Sequence, residues 1–362
     1  MVYRALGLMS GSSLDGLDLA FAEFEVTGNR WSYQILSADC YPYPEEWIEK
    51  LSTATRLPAR DYMQLHVDYG HLLGTFVNRF IEAHQLQYKV QLIGSHGHTT
   101  FHNPATRLTH QLGEGAALAA TTGINVVSDL RAMDVALGGQ GAPIVPIGEK
   151  WLLHEYRYLL NIGGIANLSC NANPYTAFDI CAANRVLNLL VQPTGQAYDA
   201  EGRLARSGQV NFALLQELNS LGYYQQPFPK SLANEFGTDV VYPLIKQKGL
   251  PVADELCTYT EHIALQLKAA LQQLPAPATS QQEQLLATGG GAFNTYLIER
   301  MQYHLPDLSL VVPDAQLINF KEALIMAFMA VLRWREEPNG LSSVTGAGRD
   351  SVGGAVWSGQ EW

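Results

Sequence analysis

The chain has 362 residues, of which 47% are hydrophobic, 16% charged and 10% aromatic. That length allows about two domains, and the apolar fraction suffices for full cores, which excludes disorder as the main state. Lys and Arg number 23 against 34 Asp and Glu, a formal charge of −11, and sequence-independent nucleic-acid binding, which needs a basic footprint, is excluded.

A phosphate-bearing small molecule stays open, because backbone amides and a divalent cation neutralise phosphate locally. Cys40, Cys170, Cys181 and Cys257 form no CxxC pair and no zinc spacing, which fits a reduced compartment. Met1 to Arg4 runs straight into a strand-like segment, without the apolar stretch of a signal peptide. The longest apolar helical stretch, Ala323 to Leu332, is short of the roughly 20 residues a membrane span needs. The expectation is a soluble, cytoplasmic protein with no nucleic-acid or membrane partner.

Taken in chain order, Tyr3–Met9, Leu17–Val26 and Trp31–Ala38 read as strands of a meander, with a Ser/Gly turn after the first. Leu65, Leu72, Phe76 and Phe80 at helical spacing predict a helix over Asp61–His84. Val90–Gly94 reads as a buried strand leading into the loop Ser95–Thr99, then a small helix Gly115–Thr122 and a strand Ile124–Val127. Ser128–Pro146 is polar, glycine-dense and irregular, a pattern more often functional than filler.

The second half begins again with strand, turn and strand: Tyr158–Ile162, Gly163-Gly164, Ile165–Cys170. Strand Ala177–Ile180 and helix Asn184–Val191 follow, then helices near Asn211–Leu221, Gly237–Gln247 and Ala253–Gln273. Strand Gln284–Ala287 ends in a glycine turn before a helix near Asn294, and Leu308–Val312 and a final helix Lys321–Arg335 close the alternation. The repeated order of elements predicts an α/β protein of two similar lobes facing a cleft, divided as 1–150 and 151–362.

Three glycine turns are candidate phosphate or nucleotide contacts. The first runs Gly11, Ser12, Ser13, Leu14, Asp15, Gly16, Leu17, Asp18; its amides and hydroxyls suit an anion, and Asp15 and Asp18 suit Mg²⁺ through water. Taken alone, it is more simply an ordinary Ser/Gly/Asp hairpin. The second is Gly163-Gly164; two such hairpins, each opening a half, tip the balance toward phosphate clamping. The third, Gly289, Gly290 and Gly291, lies between a strand and a helix, where a ribose and α-phosphate fit. Neither a GxGxxG fingerprint nor a Walker A lysine is present, which disfavours Rossmann and P-loop enzymes.

Asp179 stands at a strand's end before a helix, where it serves as a base if it reaches a hydroxyl or water, and otherwise as a cap. Cys181 lacks a paired histidine and reads as a buried thiol. His96, His98 and His102 have no neighbouring carboxylate or cysteine, so hydrogen bonding to a polar ligand, or loop packing, is preferred over a metal. Asp129, Arg131 and Asp134, with Gly138-Gly139-Gln140-Gly141, suit a sugar carrying a carboxylate, or equally an internal salt bridge.

The strings GLMSGSSLDGLDLAF, GSHGHTT, VVSDLRAMDVALGGQGAPIVP, LNIGGIANLS, YDAEGRLARSG, TGGGAFN, EALIMAF and VTGAG resemble, in order, those of the anhydro-N-acetylmuramic acid kinases. That resemblance implies two ribonuclease-H-like lobes of the actin, sugar-kinase and heat-shock ATPase superfamily. It also implies ATP and Mg²⁺, a sugar substrate, and coupled ring opening and O6 phosphorylation of 1,6-anhydro-N-acetylmuramic acid in cell-wall recycling. Asp179 matches the family's general base; Gly11–Asp18, Gly163 and Gly164 match its phosphate turns, and Gly289–Gly291 its adenosine turn. Ser95, His96, His98, Thr99, Asp129, Arg131 and Gln140 lie in its sugar-facing loops, and a homodimer is the assembly suggested. FDICAAN replaces the family's FDTGPGN, His98 stands where glutamine is usual, and Asn319 stands for an aspartate before Glu322-Ala323. A kinase for another sugar, or a non-enzymatic actin-like nucleotide binder, are the alternatives.

Overall fold

The computed structural model describes residues 1–11, 14–228, 230–233, 235–275 and 283–359. Its strands are β1 (Val2–Ser10), β2 (Leu17–Thr27), β3 (Arg30–Tyr41), β4 (Leu92–Ser95), β5 (His98–Asn103), β6 (Leu108–Leu112), β7 (Asn125–Ser128), β8 (Tyr158–Ile162), β9 (Ile165–Cys170), β10 (Thr176–Ala182), β11 (Gln284–Thr288), β12 (Ser309–Val311) and β13 (Ala355–Trp357). They divide between two compact units, Met1–Leu153 with Phe320–Trp362, and His154–Asn319.

In unit 1 the sheet runs β13-β7-β4-β1-β2-β3. In unit 2 it runs β10-β9-β8-β11-β12. Setting β13 aside, both are one pattern: third, second, first, fourth, fifth. The second strand of each unit is antiparallel to its neighbours, and the first, fourth and fifth are parallel. This is the expected ribonuclease-H-like order, present in each unit.

Strand β1 is central, so its middle is buried on both faces and reads as a nearly continuous apolar run. The helix Ala59–Ala83 places Leu65, Tyr69, Leu73, Phe76, Val77 and Phe80 along one buried stripe. These meet Leu6, Leu8, Leu19 and Phe21 in the unit 1 core. In unit 2, Leu160, Ile162, Leu168 and Ile180 of the sheet pack with Tyr259, Ile263 and Leu267 of the helix Val252–Gln273.

The expected division at 150/151 holds only on one side: Phe320–Trp362 belongs to unit 1, not to a second domain of 151–362. The reason lies in the helix Ala315–Trp334, which is longer than the expected Lys321–Arg335. A Cβ added at Gly7 of β1 would stand 1.7 Å from the Ala323 carbonyl oxygen, and one at Gly94 of β4 2.1 Å from that of Met326. The helix therefore rests on the sheet backbone itself. Lys321 reinforces it with a 2.9 Å bond to Glu149, both side chains buried, and β13 adds an antiparallel strand to β7. By length and apolarity this helix resembles a membrane span, but 72% of its apolar window is buried within the protein; an all-round apolar helix is what a core position requires.

Other expectations shift locally. Residues 98–112 form the hairpin β5–β6, which places His98, Thr99 and His102 on a strand and not in a loop. The stretch Ser128–Pro146 contains a short helix, Ala132–Ala136. Asp179 lies within β10 and not at its end.

Gly7→Ala should be among the most damaging substitutions in unit 1, because the obstacle is backbone and cannot rotate away. A loss of about 3 kcal/mol or more is expected, read as a large fall in melting temperature. Gly222→Ala, where nothing stands within 4 Å, should leave it nearly unchanged.

Candidate active site

The register of β1 and β2 pairs Ser10 with Leu17, closing a turn of residues 11–16. Ser12 and Ser13 lie outside the described residues. Leu14 adopts a left-handed backbone (φ 59°) and packs toward the core, so its side chain anchors the turn. Asp15 is exposed, while Gly16 is buried.

Asp18 faces Cys40 across the β2–β3 ladder, and the thiol donates a hydrogen bond to its carboxylate. Burial raises the Asp18 pKa to about 6 against that bond, with the negative charges of Asp15 and Glu322 adding to the rise. Glu322 comes from the helix Ala315–Trp334, so the close seating of that helix brings a third carboxylate to the turn. Among the described residues no group of three or more His, Cys, Asp or Glu side chains is set to enclose a metal. Carboxylates that repel one another, without a closed cage, suit a cation that keeps most of its waters; this fits Mg²⁺ and not zinc.

A second network in unit 1 joins several sugar-facing candidates. The His96 ring Nδ1 lies 2.9 Å from the Gly97 carbonyl, and Arg131 Nε donates to His96 Nε2 at 2.9 Å. Nδ1 therefore carries the proton and donates. Burial and the Arg131 charge push the His96 pKa down to about 3, so the ring stays neutral at working pH. Arg131 also donates through Nη1 to the Gly141 carbonyl, and Gly141 N–H donates to buried Asp134 at 2.7 Å. The Thr345 hydroxyl donates to the other Asp134 oxygen at 2.7 Å, and Gln140 N–H to the Thr345 carbonyl at 2.8 Å.

Arg131 and Asp134 are thus joined through the backbone carbonyl and N–H of Gly141. Ser10 Oγ lies 3.1 Å from His98 Nδ1, and burial lowers the His98 pKa. Among the described residues the buried Ser95 hydroxyl has no hydrogen-bond partner. Thr99 accepts from Gln111 at 3.4 Å. Asp129, with φ 57°, is held by the Ser128 hydroxyl at 2.7 Å.

In unit 2 the two glycine turns come together. Side chains at Gly289 and Gly291 would collide with Ile162 of the hairpin, at 2.8 Å from its carbonyl oxygen and 2.2 Å from Cγ2. Gly290 lies between them, and Asn184 Nδ2 donates to the Ile162 carbonyl at 3.1 Å. The carbonyls of Gly163 and Gly164 accept from Asn184 N–H and Ala183 N–H at 3.0 and 2.8 Å. Arg185 stands 3.6 Å from where a Gly164 side chain would be.

Asp179 is half-buried, and its carboxylate accepts from Leu232 N–H at 2.8 Å. Burial raises its pKa more than that bond lowers it. Its own N–H donates to the Lys230 carbonyl at 3.1 Å, and Tyr223 donates to its carbonyl at 2.9 Å. Cys181 is fully buried and its pKa is raised by burial, which leaves an inert structural thiol.

A family model described as anhydro-N-acetylmuramic acid kinase matches residues 3–359. The chain belongs to this family. It is 34% identical to an anhydro-N-acetylmuramic acid kinase of Saccharophagus degradans, with 98% of each chain covered. The identity is 32% to that of Aliivibrio fischeri, covering 98% of this chain and 99% of the relative. It is 31% to that of Sulfurimonas denitrificans, covering 97% and 98%.

Sequence reasoning missed Glu322, Thr345, Asn184 and the 230–232 backbone. Glu322 had a signal: it is the lone acid of the helix Ala315–Trp334 and directly precedes its apolar run. The others act through positions that only folding brings near.

Asp18→Asn should stabilise the unliganded protein. A carboxyl whose folded pKa lies above its unfolded value favours folding in its protonated form, so it costs stability as pH rises from about 4 to about 6. The gain at pH 7 is about 1–2 kcal/mol after solvent screening. It should vanish below pH 4 in thermal melts.

Proposed function

We propose that this chain is an ATP-dependent anhydro-N-acetylmuramic acid kinase. It opens the 1,6-anhydro bridge of 1,6-anhydro-N-acetylmuramic acid with water, phosphorylates the released O6, and yields N-acetylmuramic acid 6-phosphate and ADP. The observation that carries this reading is the setting of Asp179: a half-buried carboxylate of raised pKa, oriented by the Leu232 amide, in a chain of this family.

A base must hold the proton it takes, and burial gives Asp179 a higher proton affinity than an exposed aspartate. One Asp179 oxygen is fixed by Leu232 N–H, and the carboxylate takes a proton from water as that water attacks the anomeric carbon. The C1–O6 bond breaks, and O6 needs no proton, since it takes the γ-phosphoryl group. Phosphoryl transfer depends on positioning and charge neutralisation more than on covalent help. For this we assign the turn Gly11–Asp18 in unit 1, and in unit 2 Gly163 and Gly164 at the phosphates and Gly289–Gly291 at the adenosine side. Asp15 and Asp18 would hold Mg²⁺, which supplies positive charge against the transferring phosphate. Ser95, His96, His98, Thr99, Asp129, Arg131 and Gln140 are assigned to the sugar, with Arg131 the group suited to its carboxylate.

The replacement of FDTGPGN by FDICAAN gives no support to another substrate. Ile180, Cys181, Ala182 and Ala183 are all buried at 2% exposure or less, packed in the unit 2 core. The departures thus change core packing beneath the base, not a surface that meets a sugar. We place the enzyme in the cytoplasm, in cell-wall recycling, and expect a homodimer.

Mg-ATP with the anhydro-sugar should release ADP and give a product heavier by one phosphoryl group (HPO₃) and one water, while N-acetylmuramic acid and no sugar should not; mass spectrometry decides. ADP release independent of sugar would overturn the assignment. Asp179→Asn should lower kcat by about 10³-fold or more with ATP binding intact by calorimetry, and near-normal kcat would remove Asp179 as the base.

A further inference from the structure

At the end of the unit 1 sheet away from the residue 11–16 turn, a hollow of about 320 Å³ opens beside the β2–β3 hairpin tip, Gly28-Asn29. Its apolar surface is Trp31 and Leu332, with Ile147 of the helix Pro146–Leu152; these side chains are 5%, 2% and 2% exposed. Four charged residues line it: Lys150, Arg335, Glu337 and Asp350.

Three of those charges are already used. Arg335 donates to Glu337 at 2.8 Å and to Tyr3 at 2.6 Å, and its guanidinium lies 5.4 Å from the Trp31 ring. Asp350 accepts from the backbone and hydroxyl of Ser342 at 2.8 and 2.7 Å. Glu149, next to Lys150 in the chain, is bonded to Lys321. Lys150 is the exception. The residue is partly exposed, and among the described residues its ammonium has no carboxylate partner; it lies 5.7 Å from the Trp151 ring, near the outer limit for cation–π attraction.

We propose that this hollow is a binding site for a small carboxylate on an aromatic or branched-aliphatic body. The carboxylate pairs with Lys150, and the body lies on Trp31, Leu332 and Ile147. An ammonium without an anion beside an apolar wall gains from a ligand that supplies both a carboxylate and an apolar body. The volume, at the lower end of ligand sites, sets the size at about one ring or a short branched chain. An amine is disfavoured, because both carboxylates of the lining already accept hydrogen bonds. The site is separate from the proposed kinase residues and does not rest on that function.

The test titrates the full chain with phenylacetate, indole-3-acetate and 4-methylpentanoate, each beside its primary amide, following ligand and indole resonances by NMR. At least one acid should bind with a millimolar or tighter Kd, about tenfold better than its amide, and shift the Trp31 and Trp151 indoles. Lys150→Met should reduce acid binding to the level of the amide, while Lys150→Arg retains it; unchanged melting temperatures establish that both variants fold. Equal binding of acids and amides, acid binding untouched by Lys150→Met, shifts confined to other tryptophans, or no binding by any acid each overturns the proposal.

Discussion

The helix Ala315–Trp334 lies so close to β1 and β4 that carbonyl oxygens of Ala323 and Met326 occupy the space where side chains at Gly7 and Gly94 would stand. This contact organises unit 1. It draws the C-terminal segment onto the N-terminal sheet, orders the buried Lys321–Glu149 pair, and fixes the height of the helix above the strands. Glu322 follows from it, because one residue after Lys321 the chain faces Asp18 and Arg131 closely enough to perturb both. A buried ion pair is weak evidence for stability but strong evidence for register, since a slip would leave two charges unpaired. Here it locks the turn of helix that carries Glu322.

The cost of that arrangement appears at the β1–β2 turn. The negative charges of Asp15 and Glu322 add to the burial that raises the proton affinity of Asp18, a repulsion an ordinary hairpin would not retain. Strain of this kind is kept where function uses it, and a cation with phosphate oxygens would relieve it. In unit 2 the proposed base has a different environment. Asp179 is raised by burial and steadied by one amide, so its proton affinity is set by packing instead of by neighbouring charge. Each carboxylate is tuned by the means its surroundings supply.

Much of this was legible in the chain. The two meanders, the glycine turns and Asp179 all stand near their expected places, because short strands, tight turns and apolar periodicity are local properties. The hairpin β5–β6 was not legible. Residues 98–112 are rich in His and Thr, only partly buried, and lack the apolar alternation that marks a strand. The FDICAAN departure was visible as a change but not as a direction. Only burial shows that Ile180, Cys181, Ala182 and Ala183 face the core.

By itself the sequence determined the α/β class, the repeated order of elements, the glycine turns, and the family, since each is written in residues adjacent along the chain. Only the tertiary structure decided that residues 320–362 complete the first unit, that Glu322 joins Asp18, that the glycines at 289 and 291 press on Ile162, and that Lys150 stands without a carboxylate among the described residues. Those facts depend on backbones meeting across more than a hundred residues of chain. Their cause is steric: an absent Cβ lets two segments touch, and nothing in the local pattern names the partner.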